Sequence, residues 1–184
     1  PEIIAALYDA SQAGVKIDLI VRGVCALRPG VPGVSENIHV RSVLGRFLQH
    51  SRVFYFHNGG AEDVYLSSAD WMDRNFFRRI ELTFPILSPP LKERCEKEVL
   101  ATCLADNIKA WKLQPDGTYK RRTGGEGKVR SQERFIEIAR SDSRFSRAKM
   151  KALQKCFGSV VAGKMPGPCP DDRTNARILQ ARAK

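Results

Sequence analysis

The chain reads as an α/β domain, a mixed β-sheet flanked by helices, followed by a weakly structured basic C-terminal extension. Three observations predict it. Amphipathic text from Glu2 to Ala13 passes through Gly14 into the aliphatic run Val15 to Val21, and a helix, short turn and buried strand in succession suggest an α/β sheet. Two strand-like runs, Arg52 to Phe56 and Val64 to Leu66, flank the hairpin-type turn Asn58-Gly59-Gly60. Ser88-Pro89-Pro90 then opens a clear helix, with a cap residue and prolines in the first turn.

At 184 residues the chain fits one domain with an appendage, which we divide as 1–140 and a tail of 141–184. A content of 42% hydrophobic and 28% charged residues is ordinary for a globular protein. No apolar run approaches the roughly 20 residues of a membrane span, and no secretory signal opens the chain. It starts at Pro1 and leads directly into helical text, so the expectation is a piece of a longer protein. The net charge of +11 is unevenly placed: residues 141–184 hold ten Lys or Arg against three Asp. Most of the basicity therefore belongs to the tail, which weakens a nucleic-acid interpretation based on charge alone. The five cysteines (Cys25, Cys95, Cys103, Cys156, Cys169) form no C-x-x-C pair and suit neither a disulfide framework nor a zinc site. They are expected to be free thiols in a reducing cytosol.

Taken in order, Glu2 to Ala13 sets Ile3, Ile4 and Leu7 on one side, with Gly14 as C-cap. Val15 to Val21 has little polar alternation, as expected of a strand buried on both faces. Leu27 to Val34 is loop, with two proline-containing turns. Ile38 to Leu48 alternates like a strand in its first half and takes helical spacing at Val43, Leu44, Phe47 and Leu48, so it reads as a short strand passing into a short helix. After the hairpin, Asp70 to Phe77 is a short helix with Ser68 or Asp70 as N-cap, and Arg79 to Phe84 is a strand stopped by Pro85. The helix from Ser88 runs to about Leu104, with Leu91, Cys95, Val99 and Cys103 at four-residue spacing. Ile108 to Leu113 and Thr118 to Arg121 form a hairpin about Pro115-Asp116-Gly117. Gly124 to Gly127 is a turn, and Ser131 caps a last helix through Phe135, Ile136 and Ala139. Beyond Arg140 only a weak helical patch near Met150 to Phe157 precedes Pro/Gly-rich text.

His50 and Arg52 head an aromatic strand, on the same face two residues apart, and Ser67, Ser68 and Asp70 follow across the hairpin. An imidazole, a fixed cation and small hydroxyls at strand ends can build a phosphate site without a P-loop. A histidine there can act as acid or base, or carry a phosphoryl group. His39 and His57 lack such neighbours and read as solvated. Arg22 ends the first strand, where ligands of open α/β sheets sit, and a guanidinium there can grip phosphate oxygens bidentately. The hypothesis is that Arg22 and His50 meet at one phosphate. Arg41, Arg46, Arg74 and Arg78 add further cations; the blander role for each is a surface or carboxylate-paired arginine. Gly127-Lys128 is preceded at the required spacing by Arg122 rather than glycine, so no Walker motif exists, and no carboxylate or histidine cluster has metal-ligand spacing.

The stretches Asp18-Leu19-Ile20-Val21-Arg22-Gly23, Leu27-Arg28-Pro29-Gly30, Ser35-Glu36-Asn37-Ile38, His50-Ser51-Arg52 through Gly59-Gly60, and Tyr65-Leu66-Ser67-Ser68-Ala69-Asp70-Trp71-Met72 closely resemble the C-terminal domain of bacterial polyphosphate kinases. The resemblance covers roughly residues 1–140. It implies a phospholipase D-like domain, the second of two that face each other across an active site. It also implies reversible transfer of the terminal phosphate of ATP to polyphosphate, with Mg²⁺. The phosphohistidine nucleophile and the metal-associated arginines would lie in the first such domain, upstream of Pro1, leaving no metal ligand in this chain. Arg22 and His50 match the arginine and histidine that the second domain supplies at the ATP site, so His50 is the catalytic candidate. Arg52, Ser67, Ser68, Asp70, Arg74 and Arg41 are candidates for phosphate or polyphosphate binding. Two departures stand out. The phospholipase D pattern H-x-K survives only as His50-Ser51-Arg52, and the usual G-S-x-N becomes Ser67-Ser68-Ala69-Asp70, which puts phosphodiesterase activity in doubt.

The implied partners are ATP or ADP, inorganic polyphosphate and the upstream domains, with the full-length protein an oligomer of identical chains, cytoplasmic or peripheral to the inner membrane. Aromatic residues are not arranged as an RNA-binding sheet needs, so no specific nucleic acid is expected. The fragment alone would be inactive. Two alternatives remain: a phospholipase D-like phosphodiesterase or nuclease that pairs two His motifs by dimerising, and a non-catalytic module binding polyanions through its tail.

Overall fold

The computed structural model describes residues 1–125 and 127–141. The chain divides into two compact units, Pro1–Ile136 and Glu137–Lys184; the architecture below is that of the first. Apart from Ser141, the tail and its expected helical patch lie outside the described residues.

Helix α1 (Glu2–Gln12) ends where Gly14, at φ +88°, turns the chain, and the N–H groups of Ala13 and Gly14 close onto Asp9 O and Ser11 O. Strand β1 (Ile17–Ile20) runs parallel to β2 (Ile38–Val43), with Ile17 opposite Ile38. Strand β2 pairs antiparallel with β6 (Ala110–Leu113), and β6 with β7 (Tyr119–Arg121), giving a mixed sheet ordered β1-β2-β6-β7. Its core is Leu27, Ile38, Val40 and Leu113, against which Ile4, Leu7 and Tyr8 of α1 pack with Ile17, Leu19 and Val21. The two-faced burial expected for the first strand is not realised: Asp18 is exposed and Val15 half-exposed, because β1 is the sheet's edge. Neighbour order in a sheet is a long-range property, invisible in a strand's own residues.

The expected hairpin forms a second, antiparallel sheet: β3 (Val53–Phe56), a 3₁₀ turn at Asn58–Gly60, β4 (Asp63–Ser67) and then β5 (Thr83–Pro85). Asn58, Gly59 and Gly60 all have positive φ, which explains that text at the turn. The third strand is shorter than expected, since Ile80 is fully exposed and only Thr83–Pro85 pair with β4. Helix α2 (Asp73–Phe77) has Met72 as N-cap residue without a side-chain cap; Ser68 and Asp70 are bonded elsewhere. No helix follows β2. The chain beyond Val43 is irregular, and the Phe47 peptide is bonded to a distant side chain rather than into a helical turn.

A long helix comprises α3 (Pro89–Glu93), a π-helical stretch Arg94–Leu100 and α4 (Ala101–Ala105). Arg41 and Arg122 both donate to the Leu104 carbonyl at its C-terminal end, where cations satisfy free carbonyls and complement the helix dipole. The last helix, α5 (Ser131–Ser141), starts at a buried serine, but Ser131 is not the acceptor that a cap supplies. Both its N–H (2.8 Å) and its hydroxyl (2.9 Å) donate to Asp106 Oδ2, while Asp106 Oδ1 accepts from the N–H groups of Ile108 and Lys109. No helix of the described residues is long and apolar enough to cross a membrane.

Cys25, Cys95 and Cys103 are free thiols; Cys156 and Cys169 lie outside the described residues. Burial, with Asp106 nearby, pushes the Cys103 thiol up to about 11. Its thiolate fraction at pH 8 is then about a hundredfold below that of an ordinary cysteine. Mass spectrometry after iodoacetamide treatment at pH 8 should find Cys103 unmodified in the native protein and alkylated in urea. Equal labelling in both would show that this helix does not bury it.

Candidate functional site

Arg22 follows β1, past the Val21 N–H that extends the parallel ladder onto Arg41 O (2.8 Å). Its Nη1 donates to the carbonyl of Gln49, the peptide immediately preceding His50. Arg22 and the His50 segment, separated in sequence by a strand and two loops, are therefore joined. Arg52 leads into β3, where its carbonyl accepts the N–H of Ser67 (3.0 Å), and its Nη1 donates to His50 O at 3.2 Å. Across the hairpin, Arg52 Nε donates to Asp70 Oδ1 at 2.9 Å. The segment ending β4 is steadied by Trp71, whose ring stacks on Phe54 of β3 at 5.3 Å and 8°.

The Asp70 carboxyl is held below the usual range. The hydrogen bond from Arg52 is the largest cause; burial opposes it, and the charges of Arg52, Arg22 and Arg74 add to it. The same bond raises Arg52. One of the arginines expected at the site thus pairs with this carboxylate, and the charges of two others act on it. Arg74 reaches this group from α2 by charge.

The two serines are occupied in building the frame. Ser67 Oγ is 2.7 Å from Thr83 Oγ1 and accepts the Ala69 N–H at 3.0 Å. The Ser68 hydroxyl donates to Glu81 Oε2 and accepts the Leu82 N–H at 3.0 Å. Glu81 also accepts from Asn75 Nδ2 at 2.6 Å, and the bonds from Ser68 and Asn75 hold its carboxyl low. Arg41 is bonded to other partners: its half-buried guanidinium donates to Asp18 Oδ1 at 3.1 Å and to the Leu104 carbonyl. The imidazole of His50 is exposed.

Four contributing residues carried no signal in sequence: Glu81, Asn75, Asp106 and Gln132. Each acts on a partner outside its own local segment or element. A preceding acidic residue before Ser131 would have been the only hint for the capping, and Asp106 stands 25 residues upstream.

Among the described residues, no group of three His, Cys, Asp or Glu side chains is placed to hold a metal ion. Asp70 does not fit Mg²⁺, since Arg52 occupies it and the charges of Arg22 and Arg74 also act on it. What the arrangement suits is an anion with several oxygens, met by guanidinium groups whose positions are set before it arrives.

A family model described as polyphosphate kinase C-terminal domain 2 matches residues 1–132. The chain is 68% identical over 126 residues to the polyphosphate kinase of Burkholderia vietnamiensis, covering 68% of this chain and 18% of that protein. It is 62% identical over 132 residues to that of Paraburkholderia phytofirmans, covering 72% and 19%. The crystal structure of polyphosphate kinase from Porphyromonas gingivalis superposes with a TM-score of 0.69 at 44% identity, covering 74% of this chain and 21% of that one. The chain spans about a fifth of the length of the curated relatives it matches.

Proposed function

The chain belongs to the polyphosphate kinase family, as its C-terminal domain 2, and on that premise we propose that it forms the phosphate-holding half of an ATP:polyphosphate phosphotransferase. The observation that carries this is the joining of Arg22 to the carbonyl of Gln49, next to His50, with Arg52 of the same segment paired to Asp70. Phosphoryl transfer asks the protein mainly to position the reacting groups and to stabilise charge on the equatorial oxygens. Arg22 would hold nucleotide phosphates bidentately, and His50 would donate a hydrogen bond to a phosphate oxygen. Asp70, ionised and bonded, fixes Arg52 in one orientation so that it meets phosphate without reorganising. Ser67 and Ser68 brace this turn against Thr83 and Glu81.

The nucleophilic histidine and the ligands for Mg²⁺ would come from the upstream part of the protein, which works in the cytoplasm as an oligomer. Arg52 is committed to Asp70, at the position where a phosphodiesterase of this kind carries a lysine, so the phosphotransferase is favoured over a diesterase.

The test is to graft residues 1–184 onto the upstream four-fifths of the Burkholderia vietnamiensis polyphosphate kinase. The purified chimera should convert ATP to acid-precipitable polyphosphate, and the isolated chain should not. A folded chimera that makes none, or an isolated chain that hydrolyses a chromogenic phosphodiester, would overturn the proposal.

A further inference from the structure

The segment that delivers His50, residues 44–52, has no regular structure. Leu44 N–H still reaches Lys109 O at 3.3 Å. Beyond it, side chains fasten the segment to the rest of the fold among the described residues. Two of these fastenings involve cations of the site itself, Arg22 on Gln49 O and Arg52 on the Asp70 carboxylate. The third is neutral: Gln132, in the first turn of α5, clasps the Phe47 peptide from both sides. Phe47 N–H donates to Gln132 Oε1 at 2.9 Å, and Gln132 Nε2 donates to Phe47 O at 2.7 Å. The carboxamide lies so close to the loop that a Cβ at Gly45 would stand 2.5 Å from Cδ and 2.9 Å from Nε2. Gly45 does not have a positive φ, so it is glycine for space and not for conformation. Gln132 is itself anchored from the interior, because the preceding residue, Ser131, is fully buried on the Asp106 carboxylate.

We infer that Gln132 is a positioning residue: it sets the 44–52 segment so that His50 and the Gln49 carbonyl meet Arg22, with Gly45 providing the room. The inference rests on the assignment of Arg22 and His50 as phosphate ligands. Both arginine tethers belong to groups that would engage phosphate. Gln132 is the tether whose hydrogen bonds need not change as ligand enters and leaves.

The experiment is a set of variants in the chimeric full-length kinase, read as kcat/KM for ATP together with the melting temperature. Gln132→Ala should lower kcat/KM about tenfold, the scale of the two modest hydrogen bonds it removes. The melting temperature should hold, since alanine suits a helix. Gly45→Ala should cause a comparable loss by driving the carboxamide off Phe47. The double variant should be no worse than Gln132→Ala alone, because the added methyl then has space. In a His50→Ala background, Gln132→Ala should add little. Additive losses for Gly45→Ala and Gln132→Ala, or losses that follow a fall in melting temperature, would overturn the inference. So would full activity of Gln132→Ala beside an impaired His50→Ala, an outcome that leaves the phosphate site standing. A fully active His50→Ala would instead remove the phosphate site on which the inference rests.

Discussion

Replacing Arg22 with alanine in the chimeric kinase should lower kcat/KM for polyphosphate synthesis by roughly a hundredfold to a thousandfold, the loss that follows removal of one preorganised donor at a site of developing charge. The size of the effect comes from two roles in one side chain. Arg22 holds the peptide before His50 and, in the proposed site, would itself grip the nucleotide phosphates. Truncation would remove a phosphate ligand and loosen the segment that bears another. Arg22→Lys should recover only part of the rate, since a point charge on a flexible stem cannot bond a carbonyl and a phosphate in the fork geometry of a guanidinium. Initial rates of polyphosphate formation measure this directly; an alanine variant as fast as its parent would take Arg22 out of the site.

The largest stability effect is expected at Asp106. Asp106→Ala should lower the unfolding free energy by about 4 kcal/mol, because four donors lose one buried charged acceptor and the N–H groups are left unpaired. Those donors are Ile108 N–H at 3.0 Å, Lys109 N–H at 2.7 Å, and the Ser131 N–H and hydroxyl at 2.8 and 2.9 Å. Burial tends to raise the carboxyl, but these hydrogen bonds outweigh it and bring it below the usual 3.8. A carboxyl lowered on folding stabilises fully above its unfolded pKa, and that stabilisation fades as pH falls through the folded value. The native chain should therefore lose stability below about pH 4, and the difference between it and Asp106→Ala should shrink in the same window. Urea midpoints at pH 7 and pH 3 decide the matter: a gap that does not narrow in acid would mean the carboxylate is not the acceptor.

The parts of the candidate site that could be picked out from sequence were those at the ends of strands. Arg22, His50, Arg52, Ser67, Ser68 and Asp70 all stand where an apolar run meets a turn, and a local pattern suffices to pick them out. What each one bonds was not local. Ser68 and Asp70 have the chemistry of helix caps, yet Glu81 and Arg52 compete for them more strongly than the start of α2 does. Val43 to Leu48 has helical spacing, yet the Phe47 peptide is claimed by a glutamine 85 residues away. Arg41, a candidate cation by sequence, is half-buried between Asp18 and a helix end, partners its own segment does not announce, and desolvation there lowers its pKa. The hairpins, by contrast, were legible because glycine and asparagine at positive φ announce a turn whatever surrounds it.

The π-helical stretch Arg94–Leu100 bears on the spacing of the helix that contains it. Apolar residues repeat there every four positions, at Leu91, Cys95, Val99 and Cys103. On a regular α-helix, a step of four residues overshoots a full turn by about 40°, so three steps would carry Cys103 about 120° around the axis from Leu91. A wider turn rotates less per residue and absorbs part of that drift. The irregular winding and the four-residue repeat are thus two expressions of one periodicity, with the backbone unwound along a stripe that passes from exposed Leu91 through half-buried Cys95 and Val99 to buried Cys103.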